Sequence, residues 1–446
     1  MGEKARNSHA EKGLEDAPQP IAIAFVGAFG LEGDGPQNPA YSAAGHLLQE
    51  RILHGLEAAG ADISAVFSVR TVPSYPRQRL LFGAGQQEVG GRYRARLLPF
   101  VNLGPVKTLT TSVTLVPELV RWAWRNRHRP RAVLLYNVNI PPGIVGLLAS
   151  RLTGTRIFAL VADIQVPGSG FYPDTFLRRM DYRLQTRTLP LLDGLIVLTR
   201  RMVADFAPRT PWLLMEGGVP EDAVAAPLPP VKDAEPGAPV VFMYSGSLTD
   251  LKGVPLLLAG FERARGEHLR LWIAGGGELR GEVEAAAARD PRIRFLGSLP
   301  HAEVLRAYED VDVLVNPHST RHVTARYLFP SKLLEYLAMG RPVVTTCSTP
   351  EVREEYGDVA DVMAGEDPAE LAALLERLGG MTPAERRARG ALCRDRVAGR
   401  KTWPRQGRRM LDFIAGIVRG ERAAPARTER NMDRSAARAR DFLQGT

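Results

Sequence analysis

Short apolar runs of strand length recur along the chain, separated by segments whose apolar residues return every three or four positions. That alternation predicts parallel sheets with crossover helices, an α/β class. Strands are expected at IAIAFV (21–26), ISAVFSV, AVLLYNV, RIFALVADI, GLIVLT and PWLLME. After the first of them comes a Gly-rich loop and then a helix over about 41–59, on which Leu47, Leu48, Ile52 and Leu56 share one face. The pattern breaks at 219–239, VPEDAVAAPLPPVKDAEPGAP, which fits neither period and reads as a linker. It restarts with VVFMYSG, LRLWIAGGG, IRFLG, VDVLVNP, RPVVTT and DVMAG, and from Asp367 onward only helical patterns remain.

The expected organisation is therefore a leader without structure (1–18), a Rossmann-like domain (19–218), the linker, a second Rossmann-like domain with C-terminal helices (240–420) and a basic tail (421–446). A chain of 446 residues suits two cores of ordinary size. No stretch reaches the roughly 18 apolar residues of a spanning helix, because the best candidate is cut by Arg151 and Arg156. The charged N-terminal segment has no apolar run behind it, so neither secretory signal nor anchor is expected. Cys347 and Cys393 show no metal-ligand spacing and no disulfide framework, which points to a reducing compartment and the cytoplasm.

Charge changes the picture once it is located. Between Arg77 and Arg131 eleven basic residues face only Glu88 and Glu118, and that surplus of nine equals the net charge of +9. The segment interleaves Arg121, Arg125, Arg127 and Arg129 with Trp122 and Trp124, a composition suited to an anionic membrane surface and, with it, a lipid-linked acceptor. Solvated arginines with tryptophans in a core are the competing reading. No nucleic-acid motif accompanies the charge, so no nucleic acid is expected as partner.

Ligands of open α/β sheets sit at the carboxyl ends of the strands. AGGGE offers Gly275, Gly276 and Gly277 between a strand and a helix, where bare N–H groups can meet a phosphate, although such glycines are often steric. YSGSLTDLKG places Gly246, Ser247 and Lys252 after another strand, and an ammonium there can neutralise a pyrophosphate. FPSKLLEYLAMGRPVVTT reads as a helix with Ser331 and Lys332 in its first turn, Glu335 one turn on, where a carboxylate can hold the two hydroxyls of a ribose, and Gly340 at its stop. Asp163, at the end of RIFALVAD, can orient or deprotonate an acceptor hydroxyl, or cap a turn. Asp310 and Asp312 form an Asp-x-Asp pair but lack the further ligands a hard divalent ion needs, so no metal and no cofactor are expected.

In this order the motifs YSGSL, KG, WIAGGGE, RFLGSLP, DVLVNP and PSKLLEYLAMGRPVV resemble the C-terminal domain of glycosyltransferase family four over residues 241–346. The N-terminal half is similar more loosely, through the strand and Gly-rich loop that contain Gly27 and Gly30 and through VADIQVP. The resemblance implies the GT-B architecture, two Rossmann-like domains facing a cleft, and retaining, metal-independent transfer from a nucleoside-diphosphate sugar. It also implies that Lys252 and the Gly276–Gly277 turn receive the diphosphate, that the Phe295–Gly297 turn with Leu296 flanks the base, and that Glu335 holds the ribose. Two positions depart from the family: Ser247 stands where an Arg is common, and Tyr327 where a first Glu is common. Arg321 and Arg326 are candidates for the lost cation. A nucleotide-sugar 2-epimerase and a noncatalytic nucleotide-sugar-binding module share these features, and polysaccharide biosynthesis at the inner membrane face is the expected setting for a transferase.

Overall fold

The computed structural model describes residues 19–29, 43–139, 142–169, 174–228 and 238–421. The expected leader, Gly30, residues 229–237 of the expected linker and the tail from 422 lie outside the described residues.

The first run of elements is β1 (Ala22–Gly27), α1 (Ala43–Ala58), β2 (Asp62–Ser68), β3 (Leu81–Phe82), β4 (Gly85–Val89), β5 (Tyr93–Leu97), β6 (Phe100–Val101), α2 (Gly104–Arg125), β7 (Arg131–Tyr136), α3 (Pro142–Thr153), β8 (Arg156–Val161), α4 (Phe176–Thr188), β9 (Gly194–Val197), α5 (Arg200–Phe206), β10 (Trp212–Leu214) and α6 (Glu221–Ala225). The second is β11 (Val240–Ser245), α7 (Val254–Arg263), β12 (Leu269–Ala274), α8 (Arg280–Arg289), β13 (Ile293–Gly297), α9 (His301–Asp310), β14 (Val313–Asn316), α10 (Ser331–Ala338), β15 (Val343–Thr346), α11 (Pro350–Tyr356), β16 (Asp361–Met363), α12 (Pro368–Gly379), α13 (Pro383–Ala398) and α14 (Trp403–Val418). All the strands expected from the apolar runs form.

One sheet has the order β10-β9-β8-β7-β1-β2-β5-β4 and another the order β13-β12-β11-β14-β15-β16. β1 pairs in parallel with β2 and β7, and every pairing of the second sheet is parallel. Helices cover such sheets on both faces, which is why β1 is buried at every position and reads as an unbroken apolar run. The second sheet's core is Phe242, Leu257, Phe261, Leu271, Leu371 and Leu375, all fully buried. The chain divides into two compact units, Met1–Leu160 with Arg187–Leu195 and Gly407–Thr446, and Val161–Thr186 with Ile196–Gln406.

The hairpin β4–β5 escapes the apolar-run reading because its residues are polar and arginine-rich. Val89 pairs with Tyr93 across a loop in which Gly90 and Gly91 take φ of +60° and +67°. A Gly-Gly pair between alternating positions is the signal that marks it.

The charged segment is corrected in part. Trp122 belongs to the core, only 6% exposed, with its indole N–H donating to Ser64 Oγ at 2.9 Å. Trp124 is 67% exposed, and the Arg127 guanidinium lies over its ring at 4.4 Å. Arg121 is paired with Glu118 at 2.7 Å and Arg129 with Asp62 at 2.5 Å.

Candidate functional site

Because the strands of the second sheet are parallel, the loops that follow β11, β12, β13, β14 and β16 emerge at one edge. Backbone bonds knit them together: Gly246 N donates to Ala274 O at 3.0 Å, Gly275 N to Gly297 O at 2.8 Å and Leu248 N to Gly276 O at 2.9 Å. Gly275 and Gly277 take φ of +146° and +157°, and a Cβ on either would overlap a carbonyl oxygen, that of Gly246 or of Leu248. These two glycines let the β11 and β12 loops touch, so their first duty is close packing.

Lys252 ends a short 3₁₀ turn, Asp250–Lys252, capped by Thr249, whose hydroxyl accepts from Lys252 N at 3.3 Å. The next residue, Gly253, has φ +73°, and a Cβ there would overlap Pro317 O, which locks the turn against the loop after β14. The ammonium lies 3.4 Å from His318 Nε2. His318 is buried, and its Nδ1 is 3.2 Å from the Ser319 carbonyl. A ring that donates there through Nδ1 presents the Nε2 lone pair to the ammonium. Burial, with the Lys252 charge beside it, pushes the imidazole down to about 3, so it is neutral. Burial also lowers the pKa of Lys252. Among the described residues no carboxylate pairs with this ammonium, whereas buried Lys401 has Glu216 at 2.8 Å. A largely buried cation without a counter-ion is costly unless an anion arrives.

Glu366 organises the neighbouring loop. Its Oε1 accepts from Ser319 Oγ, from the N–H and hydroxyl of Thr320 and from Arg321 N, and its Oε2 accepts from Arg321 Nε at 2.9 Å. Burial alone would raise this carboxyl, but the bonds from Arg321, Thr320 and Ser319 hold it at about 2. Arg321, a candidate for the cation that Ser247 lacks, is thus committed to Glu366. Arg326 is exposed, and its carbonyl accepts from Thr199 Oγ1 at 3.3 Å.

Glu335 projects from α10, where Oε1 accepts from Lys332 Nζ at 2.7 Å and from Tyr308 Oη at 3.0 Å. Oε2 accepts no hydrogen bond among the described residues. Behind it the Tyr336 hydroxyl accepts from Ser245 N at 2.9 Å and donates to Ser245 O at 3.1 Å, and the Tyr308 hydroxyl bonds Ser245 Oγ. Burial raises both phenols, Tyr336 to about 12, so both remain donors. Ser331 opens the helix, and Gly340, at φ +68°, follows its end.

Gly246, Lys252, Gly276, Gly277, Leu296, Gly297, Ser331, Lys332 and Glu335 therefore all lie at the ends of strands of the second sheet or on the loops, turn and helix that follow them. Ser247 is exposed beside them, and its carbonyl accepts from Tyr244 Oη at 2.8 Å. Tyr327 is buried, donating to Asp205 Oδ2 at 2.9 Å and packing its ring 5.3 Å from that of Phe206. Asp312 is a framework residue: its Oδ2 accepts from Val241 N at 2.9 Å and its Oδ1 is 3.6 Å from Arg386. Gly27 ends β1, where Gln49 accepts from Ala28 N at 2.8 Å and donates back to Ala28 O. Asp163, half-buried, follows β8. Sequence patterns did not single out His318, Glu366 or Tyr308. His318 sits two residues after the end of β14, at the carboxyl edge where ligands of such sheets bind; the other two carry no local signal.

Residues 239–379 match the family described as Glycosyl transferases group 1. No curated protein sequence matches the chain significantly. Among solved structures, sucrose-phosphate synthase from Thermosynechococcus elongatus is similar at 18% identity and a TM-score of 0.64, over 90% of this chain and all of that one. A lipopolysaccharide outer core galactosyltransferase, WaaB, matches at 15% identity and 0.59 over 90% of this chain and 100% of that one. Anabaena HepE in complex with UDP-glucose matches at 13% and 0.59 over 89% and 99%. The fold is GT-B, and the chain is an enzyme that carries a group 1 glycosyltransferase domain.

Proposed function

We propose that this glycosyltransferase moves a sugar from a nucleoside-diphosphate sugar to an acceptor hydroxyl with retention of configuration. The observation that carries the reading is the Lys252 ammonium, largely buried and without a carboxylate partner at the edge where the glycine turns meet. A diphosphate supplies the missing counter-charge, and the charge it gains as the glycosidic C–O bond breaks strengthens that contact in the transition state. Neutral His318 keeps the ammonium in place without competing for its charge. Glu335, fixed through Oε1, offers Oε2 to the ribose, while the Gly276–Gly277 and Phe295–Gly297 turns flank diphosphate and base. With Tyr327 at the position of the family's first Glu, the departing phosphate takes the acceptor proton as the acceptor oxygen attacks the same face, and Asp163 orients that hydroxyl.

The acceptor, on this reading, is lipid-linked, and the enzyme works in the cytoplasm on the inner face of a membrane. Helix dimensions accord with attachment from one side: no helix among the described residues is long and apolar enough to cross a bilayer. The test is to incubate the chain with UDP, GDP and ADP sugars, with and without a membrane lipid extract, and to follow products by mass spectrometry. A sugar added to an extractable lipid supports the proposal. Donor epimerised without acceptor replaces transfer by epimerisation, and a glycosylated soluble acceptor with no lipid product removes the lipid assignment.

A further inference from the structure

The two helices α2 and α3 carry solvent-facing apolar stripes that the fold leaves uncovered. On α2, Val106, Leu109, Val113 and Trp124 are exposed at helical spacing, Leu109 by 64% and Val113 by 63%. On α3, Ile144, Leu148 and Leu152 are exposed at every fourth residue, Leu152 by 65%. The two helices pack against each other. They also lead the chain in one direction across the first sheet, α2 into β7 and α3 from β7 to β8, which right-handed crossovers place on the same sheet face. Exposed apolar side chains grouped on two packed helices mark an interaction site.

Charge identifies the occupant. From 103 to 155 the basic residues are Lys107, Arg121, Arg125, Arg127, Arg129, Arg131 and Arg151, and the single acid is Glu118. Glu118 is already taken by Arg121 and Arg96. Arg125, Arg127 and Arg151 have no acidic partner among the described residues, and Arg127 lies over the exposed Trp124 ring. A second copy docking through the same face would set these arginines against their own counterparts. A partner that is apolar in its interior and anionic at its surface satisfies both features.

We infer that the outer face of α2 and α3 docks on an anionic phospholipid leaflet, burying Leu109, Val113, Trp124, Leu148 and Leu152 among the acyl chains while Arg125, Arg127 and Arg151 meet the headgroup phosphates. The inference deepens the proposed function and rests on its placing the acceptor in a membrane. It differs from purely electrostatic attachment in giving the apolar stripe a share of the affinity that salt does not screen.

The test is sedimentation of the full chain with vesicles of phosphatidylglycerol and phosphatidylcholine, compared with phosphatidylcholine alone. The wild type is expected to sediment with the anionic vesicles, to keep a bound fraction in high salt and to shift its tryptophan emission to the blue. The Leu109→Glu, Val113→Glu, Leu152→Glu variant is expected to lose binding at every salt concentration while melting and binding nucleotide sugar like the wild type. Replacing Arg125, Arg127 and Arg151 by Gln is expected to abolish the preference for anionic lipid. Full retention in the apolar variant overturns the inference, as does indifference of the wild type to anionic vesicles. Loss of binding that coincides with dissociation of a dimer in sedimentation velocity assigns the face to a second copy and also overturns it. Vesicle binding without donor turnover would sink the transferase proposal alone, and donor turnover without vesicle binding would sink the docking face alone.

Discussion

Replacing Lys252 by Met should move stability and turnover in opposite directions. The methionine side chain has similar volume, needs no counter-ion and fills the same space. Exchanging buried charge for apolar volume is commonly neutral or stabilising by about 1–4 kcal/mol. Against this, His318 Nε2 loses the donor 3.4 Å away, a cost of about 1 kcal/mol. The net expectation is a gain of up to about 3 kcal/mol, a Tm that holds or rises by several degrees at about 2–4 °C per kcal/mol. Turnover should fall about 10²–10³-fold, the usual loss when a charge-stabilising donor is removed from a leaving group or oxyanion, about 2.7–4 kcal/mol. The pH dependence adds a signature. Burial lowers the folded-state pKa of Lys252 below its unfolded value, so the unfolded chain binds more protons between the two and wild-type stability rises with pH there. The methionine variant should lose that increment. Calorimetric melts across alkaline pH and donor turnover with the correct nucleotide sugar measure both effects. A variant that melts lower, or that turns over donor at the wild-type rate, refutes the reasoning.

Gly275→Ala forces a side chain at φ +146° into Gly246 O and should destabilise by about 2–4 kcal/mol with parallel loss of nucleotide binding; a melt within a degree of wild type would show that the two loops are not held as described. Glu335→Gln keeps the shape but removes the charge paired with Lys332, so affinity for the free nucleoside diphosphate should drop about tenfold with kcat little changed; unaltered affinity in calorimetric titration removes the ribose assignment. Glu366→Gln leaves Arg321 without its ion pair and loosens the loop around His318, raising the KM for donor. Because Glu366 is held at about 2, its stabilising share is present above the unfolded carboxylate pKa and fades only as pH falls toward 2, so acid melts of wild type and variant should converge there and diverge near neutrality.

The fold was legible because β1, β7, β8, β11 and β14 are buried at nearly every position, so each stands out as a continuous apolar run. The helix over Ser331–Ala338 was equally clear, from Pro330 before it to Gly340 after it. What escaped were contacts made by residues distant in sequence. Glu366 reaches back to Ser319, Thr320 and Arg321, and Tyr308 reaches forward to Glu335; neither spacing leaves a local pattern. The indoles of Trp122 and Trp124 look alike in sequence, and only the helix phase separates the one bonded to Ser64 from the one left in solvent. In sequence the glycines of the β12 turn point to phosphate contact, and the carbonyls of Gly246 and Leu248 beside them show that packing demands them first.

The central claim is that the unpaired ammonium of Lys252 awaits a diphosphate, and the most direct measurement is calorimetric titration of the wild-type chain with UDP, GDP and ADP beside the monophosphate of each base. One nucleoside diphosphate should bind, and at about 100 times its Kd it should stabilise the chain by about 2.7 kcal/mol. Its monophosphate should bind at least about tenfold more weakly, a difference of roughly 1.4 kcal/mol. Failure of every diphosphate to bind, or equal affinity for diphosphate and monophosphate, would contradict the claim.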